Sequence, residues 1–220
     1  NVNEIGSFSL ISTIADGNSN TDDAINQPAI PGGNTTFTHK LENEGNVKDT
    51  YTLTLSNDGS TSSIITDPDE YQFSSLSNMT VQIYKDNGDT PINTISGLAS
   101  GGKVDLLPDE YAIITYSATT PTDGVIAGNS DTAVLTATGT YVTSSLVNED
   151  QAIIKLPNFA IVKTAANSNV DYTQATPTID YIIKVTNEAD ANSANAIGAL
   201  VQDVLPMGLT VSGTPTISVD

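Results

Sequence analysis

The chain has 220 residues, a formal net charge of −19 at pH 7 and no cysteine. An acidic field of this size repels phosphate backbones and anionic headgroups, so nucleic acid is not an expected partner. Without cysteine, the protein has no disulfide framework, thiolate metal site or cysteine nucleophile. No apolar run approaches the roughly 18 residues that a membrane helix needs, so we expect no membrane insertion of this segment.

The composition predicts an all-β protein. Thr, Ser, Asn, Val and Ile are abundant, and Gly and Pro fall between short apolar runs, which favours strands joined by turns. The length suits two ordinary domains. We place the boundary where a long strand ends at Pro157 and a new alternating run begins at Phe159. The predicted domains are therefore residues 1–156 and 157–220.

The first predicted strand lies within residues 1–20, where Phe8 and Leu10 alternate with polar residues before a stretch rich in Gly, Asn and Ser. We favour a first strand of the first domain, with a loop after it. The alternative is an arm that pairs with the edge of a neighbouring subunit.

Residues 31–56 show apolar side chains at every second position on both sides of a turn at residues 44–46. A period of two is typical of strands that bury one face. The buried positions would be Phe37, His39, Leu41, Tyr51, Leu53 and Leu55. We therefore predict a hairpin of two antiparallel strands.

A second hairpin is predicted at residues 79–95, where the turn at residues 86–89 contains Asn87-Gly88 between two apolar runs. Further strands are predicted at 104–107, 111–119, 132–142 and 146–156. Roughly eight strands between residues 20 and 156 fit one Ig-like sandwich with insertions.

The strand pattern recurs 144 residues later in the chain. This offset places Phe37 on Tyr181, His39 on Ile183, Leu41 on Val185, Asn43 on Asn187 and Glu44 on Glu188. An asparagine at the end of a strand can bond backbone groups where the chain turns. We therefore expect structural roles for Asn43 and Asn187.

Two motifs in the chain carry a resemblance to known surface proteins. Residues 158–220 resemble a bacterial surface-protein repeat of unknown function with the signature K-T, Y-x-I-x-V-x-N and D-x-L-P-x-G-L. The matching residues are Lys163, Thr164, Tyr181, Ile183, Val185, Asn187, Asp203, Leu205, Pro206, Gly208 and Leu209. The first domain resembles a related extracellular Ig-like family through Pro31, Gly32, Phe37, Thr38, His39, Leu41, Asn43, Gly45 and Asn46.

The resemblance implies tandem Ig-like β-sandwiches from an extracellular or cell-surface protein that is adhesin-like or pilus-associated. Its partners would be other domains of the same protein, appendage subunits or a host ligand. The implied function is stalk or tip presentation in cell attachment. The alternatives are a pilus subunit or pilus-assembly protein that uses donor-strand pairing, and an accessory carbohydrate-binding module of a secreted enzyme, with a Tyr-lined face. The second domain shows only about five recognisable strands, so the sandwich is cut short or is completed from elsewhere.

We predict no enzymatic activity and no cofactor. His39 is the only histidine, and its counterpart Ile183 indicates a packed structural position. Acidic turn residues could offer oxygen ligands to Ca²⁺, although none has the regular spacing of a calcium loop. These weak metal candidates are Asp67, Asp69, Glu70, Asp86, Asp89, Asp109 and Glu110, and we favour solvated turn residues for them. An isopeptide crosslink between Lys163 and Asn187 is a further, minor hypothesis.

Overall fold

The structure is a computed structural model and describes residues 3–13, 23–57, 71–166, 173 and 177–218. The described residues form thirteen β-strands, which confirms the all-β prediction. Among them, no helix has the length and apolar character needed to cross a bilayer. The chain divides into two compact units, Asn1–Lys155 and Leu156–Asp220.

The first unit is a β-sandwich of two sheets. Sheet 1 comprises β1 (Phe8–Ser12), β3 (Asn34–Asn43), β5 (Ser75–Leu76), β6 (Met79–Lys85), β7 (Asn93–Leu98) and β9 (Glu110–Thr119). Sheet 2 comprises β2 (Gln27–Ala29), β4 (Asp49–Asn57), β8 (Gly102–Leu106), β10 (Ser130–Gly139) and β11 (Ser145–Ile154). The strand order is β1-β3-β9-β6-β7 in sheet 1, with β5 also on β9, and β2-β11-β10-β4-β8 in sheet 2. The described strand pairs of this unit are antiparallel except β2 with β11.

The predicted hairpin within residues 31–56 is wrong. Its two strands form as β3 and β4, but they lie in different sheets and do not pair with each other. The connection at residues 44–48 instead carries the chain from one sheet to the other. Each strand still buries one face, because the two apolar faces point toward the same core from opposite sides. A turn flanked by alternating strands is compatible with both arrangements.

Two other predictions for this unit are confirmed. The β6–β7 pair is an antiparallel hairpin, and Asn87 in its turn has a positive φ of 59°. The N-terminal strand β1 pairs antiparallel with β3, so the described part of the N-terminal segment belongs to the first sandwich. The short strands β2 and β5 were not predicted, since three and two residues are too few to show a periodicity.

The core of the first unit lies between the inner faces of its sheets. The largest fully buried apolar and aromatic side chains include Tyr51, Tyr116, Phe37, Leu41, Leu53, Met79, Leu106, Ile114 and Leu135. Burial of each such side chain contributes about 1.5–3 kcal/mol before the entropic cost of folding. These contributions hold the sandwich together without a disulfide.

The second unit is much less complete. It contains one antiparallel pair, β12 (Phe159–Ala165) with β13 (Tyr181–Asn187). The other described residues of this unit form no further strand, apart from a single bridge between Leu156 and Ser193. About five strands were expected here. A lone hairpin is marginally stable in water, because nothing covers its apolar face.

Candidate interaction surface

A buried polar centre joins the two sheets of the first unit. His39 on β3 and Asp150 on β11 are both fully buried, and their Nε2 and Oδ2 atoms lie 2.7 Å apart. The Tyr116 hydroxyl donates to the same Asp150 oxygen. The second carboxylate oxygen accepts the backbone N–H of Ala24 at 3.2 Å. Asp150 therefore has three hydrogen-bond donors in a fully buried site.

The pKa of the Tyr116 hydroxyl in this centre is raised well above its usual value. Burial is the main cause, and the charge of Asp150 and its hydrogen bond add to it. The His39 and Tyr116 rings also stack, with centroids 6.0 Å apart. The contacts of Asp150 with His39 and Tyr116 link the two sheets. Because all three side chains are buried, a substrate has no access to His39 as a base. Sequence reasoning placed His39 as a packed residue but did not find Asp150.

Asp49 forms a second structural clamp that sequence reasoning missed. Its carboxylate accepts the backbone N–H groups of Thr50, Thr140, Tyr141 and Val142 at distances of 2.7–3.2 Å. Burial alone would raise the pKa of Asp49, but the four donors outweigh it and hold the pKa below its ordinary value of 3.8. The clamp ties the start of β4 to the turn that follows β10.

Gly139 permits this close approach. A Cβ atom at residue 139 would lie 2.5 Å from the Val142 carbonyl oxygen and 2.8 Å from Asp49 Oδ2. Both distances are too short for a real side chain, so the turn requires glycine.

The acidic metal candidates are partly brought together by the fold. Asp67, Asp69 and Glu70 lie outside the described residues. The turns holding Asp86 and Asp109 meet at one end of sheet 1, where the Asp86 N–H donates to the Asp109 carbonyl at 2.7 Å. The buried Glu110 accepts the Leu107 N–H at 2.9 Å, and Asp89 lies in the β6–β7 turn. In the described part of the chain, no three acidic or histidine side chains are grouped to hold a metal ion.

The two strand-ending asparagines bond to backbone groups. Asn43 Nδ2 donates to the carbonyls of Val47 and Leu106, at 2.9 and 3.0 Å. Asn187 Nδ2 donates to the Ala194 carbonyl at 2.9 Å, and its Oδ1 accepts the Asn158 N–H, also at 2.9 Å. Both amides therefore fix the chain where it leaves a strand.

The D-x-L-P-x-G-L residues form a turn in the second unit. Pro206 accepts a backbone hydrogen bond from Leu209 at 3.2 Å, and Gly208 has a φ of 93°, which favours glycine. Lys163 Nζ donates to both carboxylate oxygens of Asp203, at 2.9 Å to Oδ1 and 2.7 Å to Oδ2. Asp203 therefore connects this segment to β12.

The hypothesis of a Lys163–Asn187 crosslink does not fit the register. Lys163 lies opposite Ile183, whereas Asn187 lies opposite Phe159 at the other end of the pair. Four residues along a strand correspond to about 13 Å, which is too far for an amide bond.

The tyrosines that the structure describes do not present a shared flat platform. Tyr71 and Tyr116 are buried, and Tyr172 lies outside the described residues. Tyr84 and Tyr111 stack on the outer face of sheet 1, with centroids 5.1 Å apart. Lys40 Nζ lies 4.6 Å from the Tyr111 ring centre on the neighbouring strand, so both faces of that ring are occupied. Tyr141 is exposed on a turn.

One partly exposed apolar surface of the second unit is a face of the β12–β13 pair. We call it the open face and define it by Phe159, Ile161, Tyr181, Ile183 and Val185. A groove of about 380 Å³ separates this face from residues 199–203. Ile161 is 65% exposed and Phe159 is 45% exposed. Contiguous exposed apolar surface is typical of interaction or ligand-binding sites.

The first unit contains an equivalent strand pair, β1–β3, whose apolar face is covered. Phe8 lies opposite Asn43 and Leu10 opposite Leu41 in the β1–β3 pair. In the same register, Phe159 lies opposite Asn187 and Ile161 opposite Val185. Leu10 is only 3% exposed, because sheet 2 packs over it, whereas the equivalent Ile161 is open.

The two pairs also differ at their second edge. In the first unit, β3 is central and pairs with β9 along Asn34–Glu42. The equivalent strand β13 pairs only with β12 among the described residues. Within the described residues, the second unit thus has both an apolar face and, beside it, a strand edge that pairs with no further strand.

No protein-family profile and no curated protein matches this chain. Solved structures with similarity include a family 123 glycoside hydrolase from Clostridium perfringens, at 9% identity and a TM-score of 0.43. The match covers 68% of this chain and 27% of the hydrolase, so the chain spans about a quarter of that protein.

Two further similar structures come from surface appendages. The CooA pilin subunit from enterotoxigenic Escherichia coli has 11% identity and a TM-score of 0.27, over 66% of this chain and 98% of the pilin. The CupB6 tip adhesin from Pseudomonas aeruginosa has 11% identity and a TM-score of 0.24, over 60% of this chain and 41% of the adhesin.

Proposed function

We propose that this chain is a structural module of a bacterial cell-surface protein or appendage, where it contributes to attachment by holding or presenting a binding tip. The observation that carries the proposal is the open face of the second unit with its unpaired strand edge. Such a surface supports a role in joining polypeptides, which is what a stalk or tip module does.

Charge and the buried polar groups also support this role. A net charge of −19 keeps a protein soluble outside the cell and disfavours nucleic acid as a partner. His39, Asp150 and Asp49 are engaged in hydrogen bonds that stabilise the sandwich. The proposal therefore assigns no catalytic residue, and the partners are other domains of the same protein, appendage subunits or a surface ligand.

The experiment is to display the chain on a non-adherent bacterium and to measure attachment. Immobilised matrix proteins, a glycan panel and whole cells serve as targets. An unrelated β-sandwich of similar length and charge, on the same anchor, is the control. We expect attachment above this control on at least one target. Equal attachment of the two strains on every target would reject the proposal.

The edge of β13, which has no second partner strand in the described part of the chain, favours a second candidate function, a pilus-type subunit that pairs with strands of its neighbours. This candidate predicts polymers, which appear as ladders in blots of whole cells that produce the protein. A single monomeric band would reject it.

A further inference from the structure

We propose that the first unit resists tension through a run of hydrogen bonds between the segment that contains β2 and the segment that contains β11. We call it the parallel run and define it by residues 23–29 and 149–155. The inference rests on the proposed function, since a stalk or tip module carries the tension of attachment. It adds to that function the part of the fold that withstands the tension.

The parallel run begins with two side-chain hydrogen bonds, each between residues 126 positions apart in the chain. Asp23 Oδ1 accepts the Glu149 N–H at 2.6 Å, and Asp150 Oδ1 accepts the Ala24 N–H at 3.2 Å. The Gln151 N–H donates to the Ala24 carbonyl at 2.8 Å. The two segments are therefore joined before the strand ladder starts.

The ladder of β2 with β11 continues the parallel run. Gln27 lies opposite Ala152 and Ala29 lies opposite Ile154. The Lys155 N–H then donates to the Ala29 carbonyl at 2.8 Å. Every other strand pair among the described residues of this unit is antiparallel, so the direction of β2 against β11 is a special feature of the fold.

The parallel direction decides how tension acts on these bonds. The chain enters the parallel run at Asp23 and leaves it at Lys155, and in a parallel pair these two points lie at opposite ends of the ladder. Pulling them apart slides the segments along each other, so several bonds must break together. If both strands were pulled from the same end, the bonds would break one after another. The barrier to unfolding is therefore higher for a pull along the parallel run.

Burial and a link to sheet 1 strengthen the parallel run. The two side-chain bonds that begin it are buried, so a donor or acceptor released there has no water to replace its partner. The second oxygen of Asp150 is also held by His39 and Tyr116, which belong to sheet 1. The parallel run is therefore fixed to both sheets.

Strand β1 precedes the parallel run in the chain and pairs with β3, so tension from the N-terminal side reaches β1 first. Side-chain hydrogen bonds at its two ends run from Ser7 to Glu44 and from Thr13 to the Thr38 carbonyl, and both are exposed. Water can replace exposed bonds as they open. We therefore expect β1 to detach first and the parallel run to set the rate of unfolding.

Single-molecule pulling of the full chain in two directions tests the inference. The chain has no cysteine, so pairs of introduced cysteines give unique attachment points for DNA handles. Asn3→Cys with Pro157→Cys pulls along the parallel run. Ile30→Cys with Pro157→Cys pulls from one end of it, and all three residues are exposed. At equal force, the first variant should unfold at least about tenfold more slowly, because several bonds must break together.

Asp23→Ala tests the parallel run itself, and Asp49→Asn is its matched control. The first substitution removes the buried bond to Glu149, whereas the second weakens bonds at the start of β4, outside the parallel run. Both are made in the variant that is pulled along the parallel run. At equal force, Asp23→Ala should unfold about tenfold faster, and Asp49→Asn should change the rate less than about twofold. Only bonds that break before the barrier alter the unfolding rate.

Equal unfolding rates in the two pulling directions would overturn the inference, and so would equal effects of Asp23→Ala and Asp49→Asn under force. The comparison of directions leaves the parallel run intact, so it decides the matter even where Asp23→Ala does not fold. The attachment assay is independent of this result. Slow unfolding along the parallel run without attachment would retain the mechanical role and reject the adhesive one, and attachment with equal rates in both directions would do the reverse.

Discussion

His39 and Asp150 come from different sheets and meet in the core of the first unit, with 2.7 Å between Nε2 and Oδ2. Removal of one partner from a buried pair leaves the other group buried without its hydrogen-bond and charge partner. We expect His39→Ile to lower the free energy of unfolding by about 3–5 kcal/mol. Chemical denaturation monitored by tyrosine fluorescence measures this change.

Thr38→Val, on the outer face of the same strand, is the control for His39→Ile. Its effect should stay within about 0.5 kcal/mol, since surface substitutions usually do little. If the two variants were equally stable, the His39–Asp150 contact would contribute nothing to the sandwich.

Tyr51 and Tyr116 provide a matched pair of buried hydroxyls. Tyr116 donates to Asp150, whereas the Tyr51 hydroxyl has no hydrogen-bond partner among the described residues. Tyr116→Phe should destabilise the protein by about 1–3 kcal/mol, and Tyr51→Phe should be neutral or stabilising. Thermal and urea unfolding of both variants check the order, and a larger loss in Tyr51→Phe contradicts it.

Asp49 should make stability depend on pH in the acidic range. Its pKa is lowered in the folded state, so its contribution is present above the ordinary value of 3.8 and is lost as the pH falls through the lower folded value. We expect Asp49→Asn to cost about 2–3 kcal/mol at pH 7. The difference in the free energy of unfolding between Asp49→Asn and the wild type should shrink below pH 3.8. Urea unfolding at a series of pH values measures both effects.

Asp105→Asn is the comparison for Asp49. Lys48 lowers the pKa of Asp105 too, but this ion pair is more than half exposed and is screened by solvent. Asp105→Asn, which removes this ion pair, should therefore change the free energy of unfolding little at any pH. An Asp49→Asn difference that persists unchanged in acid would show that its charge is not the cause.

The second unit should be cleaved before the first. Its described residues form one hairpin with an open face, whereas the first unit buries a continuous core. Local opening is therefore easier in the second unit. Limited digestion with a broad-specificity protease and mass spectrometry should find the earliest cuts after residue 155. Early cuts within β3, β4, β9 or β10 would contradict this expectation.

The sequence alone predicts the class of fold and most strands of the first unit. Alternation at Phe37, His39 and Leu41 correctly identified buried positions, because the period of two belongs to the strand itself. Asn87-Gly88 correctly indicated a hairpin, since that turn depends only on local backbone preferences. These signals are local and can be read from neighbouring residues.

The tertiary structure decided which strands are partners. β3 and β4 share a turn but lie in different sheets, a choice made by burial of both apolar faces in one core. The meeting of His39 with Asp150, 111 residues away, likewise has no local signal. The open face of β12–β13 also depends on tertiary structure: Leu10 of the equivalent β1–β3 pair is covered and Ile161 is exposed, because exposure is a property of what surrounds a strand.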